Sequence, residues 1–222
     1  MASEVDICNI ALGHLGDEAA ISAIDPPDGS VQASHCARIY PMARDELLES
    51  HNWRFATRRD ALALLSTSEL PSEWGYAYTY PSACLRVIAV RPADVATSVN
   101  PGLIFDEQEF LTKPQTYPFT IESLSDGSQV IYTNVEDATV HFVGLVTDTT
   151  KFSPLFSAAL ARLLAMYLAG PIIKGKAGVE MAKVQLEIFE KIAGPRAKAS
   201  DANARRDVSY NDFIPSGLAA RS

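Results

Sequence analysis

The fold turns on the stretch Ser153-Pro154-Leu155-Phe156-Ser157-Ala158-Ala159-Leu160-Ala161-Arg162-Leu163-Leu164-Ala165-Met166-Tyr167-Leu168-Ala169-Gly170. Ser153 is an N-cap residue type. Pro154 suits the first helical position, where a backbone N–H would have had no intrahelical acceptor in any case. From Leu155 to Ala169 the apolar residues recur on every side rather than along one stripe, so the predicted helix is packed on several faces. Such a helix needs partners from elsewhere in the chain. Phe152 to Ile173 is also long enough to cross a bilayer. Arg162 at its centre, however, would cost about 2.5–3.5 kcal/mol on insertion, and Ser153-Pro154 and Gly170-Pro171 are expected to stop the helix short of a span. A core helix is the reading that fits, with no membrane association.

The partners lie at both ends of the chain. Ser3-Glu4-Val5-Asp6 has the form of a capping box, and Val5, Cys8, Leu12 and Leu15 follow at helical spacing with Gly16 as a stop. After the turn chemistry of Asp25-Pro26-Pro27-Asp28-Gly29-Ser30, an apolar stripe of Cys36, Ile39, Tyr40, Ala43 and Leu47 predicts a second helix running to about His51, with Pro41 inside it. Beyond the core helix, Val179, Ala182, Leu186, Phe189 and Ala193 form the expected buried stripe of an amphipathic helix. Lys183, Glu187 and Lys191 lie on its other face at i to i+4 spacing. Gly194-Pro195 bends or ends it, and Arg196 to Arg206 is helix-compatible.

Between these halves the period changes from helical to two. Trp74, Tyr76, Tyr78 and Tyr80 alternate with Gly75, Ala77 and Thr79; Leu85 to Val90 is a β-branched run; Phe119 to Glu122, Val130 to Thr133 and Thr139 to Val146 alternate again. Ser125-Asp126-Gly127-Ser128 is a hairpin signal. Prolines 92, 101, 114 and 118 suit edges and loops of a small sandwich or barrel. The fold class expected is α+β: an α-helical bundle with an inserted antiparallel β domain and an extended C-terminal arm. Its parts are a first helical half at 1–70, a β insertion at 71–148, a second helical half at 149–206 packing on the first, and the arm at 207–222. Replacing 71–148 with a short Gly/Ser linker is expected to leave soluble, helical protein.

Of the 222 residues, 47% are hydrophobic and 21% charged, the balance of a folded protein with a sizeable core. Nineteen Lys and Arg against 27 Asp and Glu leave a net charge of -8, which argues against general binding of nucleic acid, since phosphate neutralisation needs a basic face. Cys8, Cys36 and Cys84 are odd in number and widely spaced among apolar neighbours, and read as reduced core residues. The acidic start at Met1-Ala2-Ser3-Glu4 is not that of a signal peptide, which points to synthesis in a cytoplasm.

No catalytic, cofactor-binding or metal-binding residues can be nominated. Gly170-Pro171-Ile172-Ile173-Lys174-Gly175-Lys176-Ala177 has the glycine and lysine spacing of a phosphate loop but ends in Ala177 where Ser or Thr would hold magnesium. It also follows a helix rather than a strand. It reads as a helix–helix connector, with Lys174 and Lys176 as partners of a helix C-terminus. His14, His35, His51 and His141 are scattered without metal-ligand spacing. Ser34-His35-Cys36 are sequence neighbours that point about 100° apart on a helix and cannot form a nucleophile–base pair. The aromatic run Trp74, Tyr76, Tyr78 and Tyr80 could be a stacking platform, but a core or an interface between subunits fits it better. In the arm, Tyr210, Phe213, Ile214 and Leu218 are large apolar residues in a segment too rich in Pro and Gly to bury them itself, which suits docking into a partner's groove.

Several motifs, taken in order, resemble the head-to-tail adaptors of tailed phages, of the tail tubular protein A type found in short-tailed phages. They are Ile7-Cys8-Asn9-Ile10-Ala11-Leu12 with Leu15-Gly16, Tyr40-Pro41-Met42-Ala43-Arg44-Asp45-Glu46-Leu47-Leu48, Trp53-Arg54-Phe55-Ala56, Tyr80-Pro81-Ser82-Ala83-Cys84-Leu85-Arg86, Ser153-Pro154-Leu155-Phe156, and Phe213-Ile214-Pro215-Ser216-Gly217-Leu218. Ala83 departs from the pattern, since an acidic residue often precedes the cysteine in that family. The resemblance implies a structural virion protein without catalysis: a ring of twelve identical subunits, made in the host cytoplasm and built into the tail. The ring joins the portal protein to the tail nozzle protein and forms part of the channel through which genome DNA passes without specific binding. It also implies that Tyr210, Phe213, Ile214 and Leu218 bind the portal. The alternative is a tail-associated hydrolase of cell-wall or capsular polysaccharide.

Overall fold

The computed structural model describes residues 2–67, 69–93 and 117–203. The arm with Tyr210, Phe213, Ile214 and Leu218, and also Pro101 and Pro114, lie outside these residues. The chain is mixed α+β, with helices and antiparallel sheets. Its elements run α1 (Glu4–His14), α2 (Val31–Glu49), β1 (Thr57–Ala61), β2 (Tyr76–Thr79), β3 (Cys84–Pro92), β4 (Phe119–Ser123), β5 (Gln129–Thr133), β6 (Ala138–Gly144), α3 (Pro154–Ile173), α4 (Gly175–Ile188) and α5 (Gly194–Asn203). A π turn over Phe189–Ala193 joins the last two.

Local chemistry fixes the helix starts. Ser3 and Asp6 exchange side-chain-to-backbone hydrogen bonds in a complete capping box. Ser30 caps α2 through the Ala33 N–H. Ser153 caps α3 through the Phe156 N–H, with Pro154 in the first turn. In the loop before α2, the Asp28 carboxylate accepts from the backbone and hydroxyl groups of both Ser22 and Ser30, and these bonds hold it well below the usual carboxylate range.

α3 is the axis of the helical part. It is long and apolar enough to cross a membrane by length and composition, yet over half of that stretch is buried inside the molecule, against α1, α2, α4 and α5. Ile7, Cys8, Ala11 and Leu12 of α1, Cys36, Tyr40, Ala43, Leu47 and Leu48 of α2, and Leu160, Leu163, Leu164 and Leu168 of α3 share one core. The helix does not stop at Gly170-Pro171, as the sequence suggests, but carries Pro171 inside it to Ile173. Lys174, with φ of +62°, turns the chain into α4, so the phosphate-loop look-alike is a helix–helix connector. Lys176 lies in the first turn of α4, not at a helix C-terminus.

The buried edge of α4 also differs from the expected stripe. Val179 is 54% exposed and Leu186 is exposed, while Gly178 and Gln185 are buried and Met181, Ala182, Phe189 and Ala193 are half-buried. The cause is close approach: a Cβ at Gly178 would lie 2.9 Å from the Ala169 carbonyl oxygen, so only glycine lets α4 seat here. Gly178→Ala is therefore expected to destabilise by about 1–3 kcal/mol through overpacking, seen as a thermal midpoint lowered by about 2–4 °C per kcal/mol. Gly170→Ala, with nothing within 4 Å of the added carbon, should cause no loss. Equal midpoints for the two variants would refute the close-packing account.

Among the described residues six strands form two antiparallel sheets of order β1-β6-β3 and β2-β5-β4. Leu64 bridges Tyr78 on one side and Tyr117 bridges Val90 on the other, so the sheet edges meet on both sides. Register shifts in β3 after Cys84 and Val87 add the local bend that such curvature uses. Between the sheets lie Tyr78, Val87, Val90, Ile131, Val140 and Phe142. The turn at Ser125–Ser128 is a hairpin as expected, with Gly127 at φ +84° and Asp126 accepting from the Ser128 N–H and hydroxyl.

β1 corrects the sequence reading. Thr57–Ala61 lies inside the segment assigned to the first helical half, 1–70, yet pairs residue for residue with β6. It is charged and mostly exposed, so backbone pairing alone marks it as a strand. The outer face of the same sheet is not free: Leu85, Ile88, Leu145, Val143 and Val146 pack into the helical core. Arg86 on β3 donates from Nε to the Glu49 carbonyl at 3.0 Å and from Nη2 to Asn52 Oδ1 at 2.6 Å, tying the sheet to the C-terminus of α2.

Candidate functional site

The segments Trp53–Ala56 and Ser153–Phe156, about a hundred residues apart in sequence, meet in one aromatic cluster. Trp53 stands edge-on to Phe156 at 4.9 Å between centroids, Phe55 edge-on to Phe156 at 5.0 Å, and Phe152 lies 4.7 Å from Phe156. Such edge-to-face pairs add about 0.5–1.5 kcal/mol each beyond the area they bury. Trp53 is fully buried and its indole N–H donates to the Leu47 carbonyl at 2.7 Å. That carbonyl is among the last of α2, which have no intrahelical donor, so the indole closes the helix end as well as filling the core. Asp201 of α5 reaches the same corner, accepting from the Arg54 N–H at 3.1 Å and lying 3.4 Å from His51 Nε2.

The aromatic strand splits between two faces. Tyr78 is 2% exposed, with its hydroxyl donating to the Val135 carbonyl at 2.8 Å; Tyr76 stacks on it at 6.3 Å, and Tyr76 and Tyr80 are half-buried against the same inter-sheet core. Trp74 packs with Ala77, Val130 and Tyr132 on the opposite face of that sheet. The four are therefore not one surface. β2 begins only at Tyr76, so the alternation does not extend to Trp74, and Tyr78 is an interior residue of the chain rather than an interface residue.

The titratable groups are dispersed. Among the described residues no group of three or more His, Cys, Asp or Glu side chains is placed to hold a metal ion. Cys8 and Cys36 face each other between α1 and α2, and their mutual hydrogen bond and burial push the Cys8 thiol well up; Cys84 is half-buried on β3. His14 is held down by burial and by Arg162, His35 Nδ1 accepts from Arg38 Nη2 at 2.8 Å, and His51 lies by Asp201. Tyr167 of α3 donates to Glu46 of α2 at 2.7 Å, which pushes its hydroxyl up to about 12.

Two concave sites lie among the described residues. The larger, about 480 Å³, opens between α1, the start of α3 and the π turn, with Ile10, Leu155, Ile188 and Ile192 on its walls. Its polar groups are His14, Ser157, Arg162 and Arg196, and none of its lining residues is acidic. Arg162 is oriented by Gln185, which accepts from its Nη1 at 2.9 Å and donates to the His14 carbonyl at 3.0 Å, closing the end of α1. In the sequence Arg162 stands out only as an obstacle to membrane insertion; its place in a groove is legible in no spacing. The smaller site, about 400 Å³, is lined by Glu4, Asp25, Tyr40, Arg44 and Thr147 among others, and the buried Tyr40 hydroxyl has no partner among the described side chains and backbone. No known protein family matches the chain, and no curated protein matches it.

Proposed function

We propose that this chain is a structural component of a tailed phage particle, a head-to-tail adaptor whose subunits form a ring of twelve between the portal protein and the tail nozzle protein. The observation that carries the reading is the convergence of the motifs on which the resemblance rests. Ile7–Leu12, Tyr40–Leu48, Trp53–Ala56 and Ser153–Phe156 all contribute to one core, around a β insertion set between two helical halves. The acidic balance supports it further: a net charge of -8 per subunit gives a ring that repels the DNA backbone and lets a genome slide rather than stick. The ring acts without catalysis of its own, and purified protein is expected to release no sugar from peptidoglycan or capsular polysaccharide. Turnover abolished by one Asp or Glu substitution would instead establish the hydrolase reading.

In this reading the arm, 207–222, binds the portal through Tyr210, Phe213, Ile214 and Leu218. Sixteen extended residues reach about 50 Å, enough to leave the subunit. Each anchor buried contributes about 1.5–3 kcal/mol before ordering costs. Deletion of 207–222 is expected to leave a folded protein that no longer attaches to purified portal rings, with DNA-filled heads lacking tails in an assembly assay. Full attachment by the truncated protein would move the portal contact to the helical body.

A further inference from the structure

The groove between α1, α3 and the π turn is an apolar surface without a cover among the described residues. Ile10 and Ile192 on its walls are 43% and 51% exposed. In a chain of net charge -8 it presents Arg162 and Arg196, and no carboxylate lines it. Arg162 is held by the neutral Gln185, and no ion pair neutralises either guanidinium among the described residues. Its complement is an apolar segment that carries acid.

That composition occurs in the chain's own continuation, Asp207-Val208-Ser209-Tyr210-Asn211-Asp212-Phe213-Ile214. Arg196 lies in the first turn of α5, about 10 Å along the helix axis from Asn203. The roughly ten residues from Asn203 to Phe213 can span about 33 Å, so the segment reaches back to the groove with slack. We propose that the groove seats residues 207–214 of the same chain. Tyr210, Phe213 and Ile214 fill the apolar trough, and Asp207 and Asp212 face the two arginines. The free subunit thereby keeps its apolar anchors out of water, and any surface that captures the arm must compete with the groove. Seating of the arm in the groove does not depend on the portal reading, and the experiment that follows contains no portal.

The full-length chain carrying Cys84→Ser, Ile192→Cys and Phe213→Cys is oxidised mildly and run without reductant. The account predicts a cross-link within one chain, seen as a faster-migrating monomer reversed by dithiothreitol. The pair Phe213→Cys with Val179→Cys, outside the groove, stays unlinked. Reversing both arginines, Arg162→Glu with Arg196→Glu, should lower the linked fraction by up to about fivefold for each pair lost, the ceiling for a partly exposed ion pair, and adding Asp207→Lys and Asp212→Lys should restore it. A link no greater than in the Val179 pair would overturn the proposal. So would a link that joins two chains, which would give the groove to a second copy's arm.

Discussion

Replacing residues 71–148 with a short Gly/Ser linker is expected to abolish folding, the reverse of what the helix–insert–helix pattern of the sequence suggests. The sheet β1-β6-β3 is a wall of the helical core: Val143 and Val146 belong to its buried cluster, and Leu85, Ile88 and Leu145 pack against it. Two buried side chains at about 1.5–3 kcal/mol each and three half-buried ones at about half that amount to about 5–10 kcal/mol, comparable to the whole stability of an ordinary domain. The replacement also removes β6, the strand on which β1 pairs, and strips the Arg86 bonds from the end of α2. Far-ultraviolet circular dichroism should show loss of the helical signal and no cooperative melt. A linker-bearing protein that retains helicity and melts cooperatively would show that the helices close a core by themselves.

Trp53→Ala is the point substitution expected to cost most. Truncating a large buried aromatic costs about 3–5 kcal/mol through lost burial and the cavity left behind. Here the same change removes one of the two donors to the Leu47 carbonyl, leaving the Ser50 hydroxyl, and the edge-on partner of Phe156. Phe156→Ala should cost about 3–5 kcal/mol too. Because the two rings touch, the double variant should cost less than the two single costs combined, by about 0.5–3 kcal/mol. Urea titrations of the four proteins measure this directly. Strict additivity would mean that the two rings fill separate spaces and that the cluster does not couple the two halves of the chain.

What the sequence makes visible is whatever carries its own local chemistry. The capped starts at Ser3 and Ser153-Pro154, the all-round apolar α3 and the Asp126-Gly127 turn are legible because each depends on residues within a few positions of one another. Tertiary choices are not. β1 is a charged pentapeptide whose strand character comes from β6, roughly eighty residues later. On α4, Val179 and Leu186 read as core and face outward, because Gly178 and the Ala169 carbonyl set which edge can approach α3. Trp74 reads as the first residue of the tyrosine face and packs behind it, since the strand starts two residues later. The groove is hidden for the same reason: Ile10, Arg162 and Ile192 come from three elements and share no spacing.

The same distinction bears on function. Among the described residues, the motifs behind the adaptor resemblance supply much of the interior, Trp53 and Phe156 above all, and so bear on how the chain folds rather than on what it touches. For the proposed adaptor, position within a tailed particle is therefore the property to measure. Tailed particles carrying an epitope on this protein, decorated with gold-labelled antibody and imaged in projection, should show label confined to the junction between head and tail. Label at the distal tip of the tail, or on the capsid away from the junction, would contradict the adaptor account.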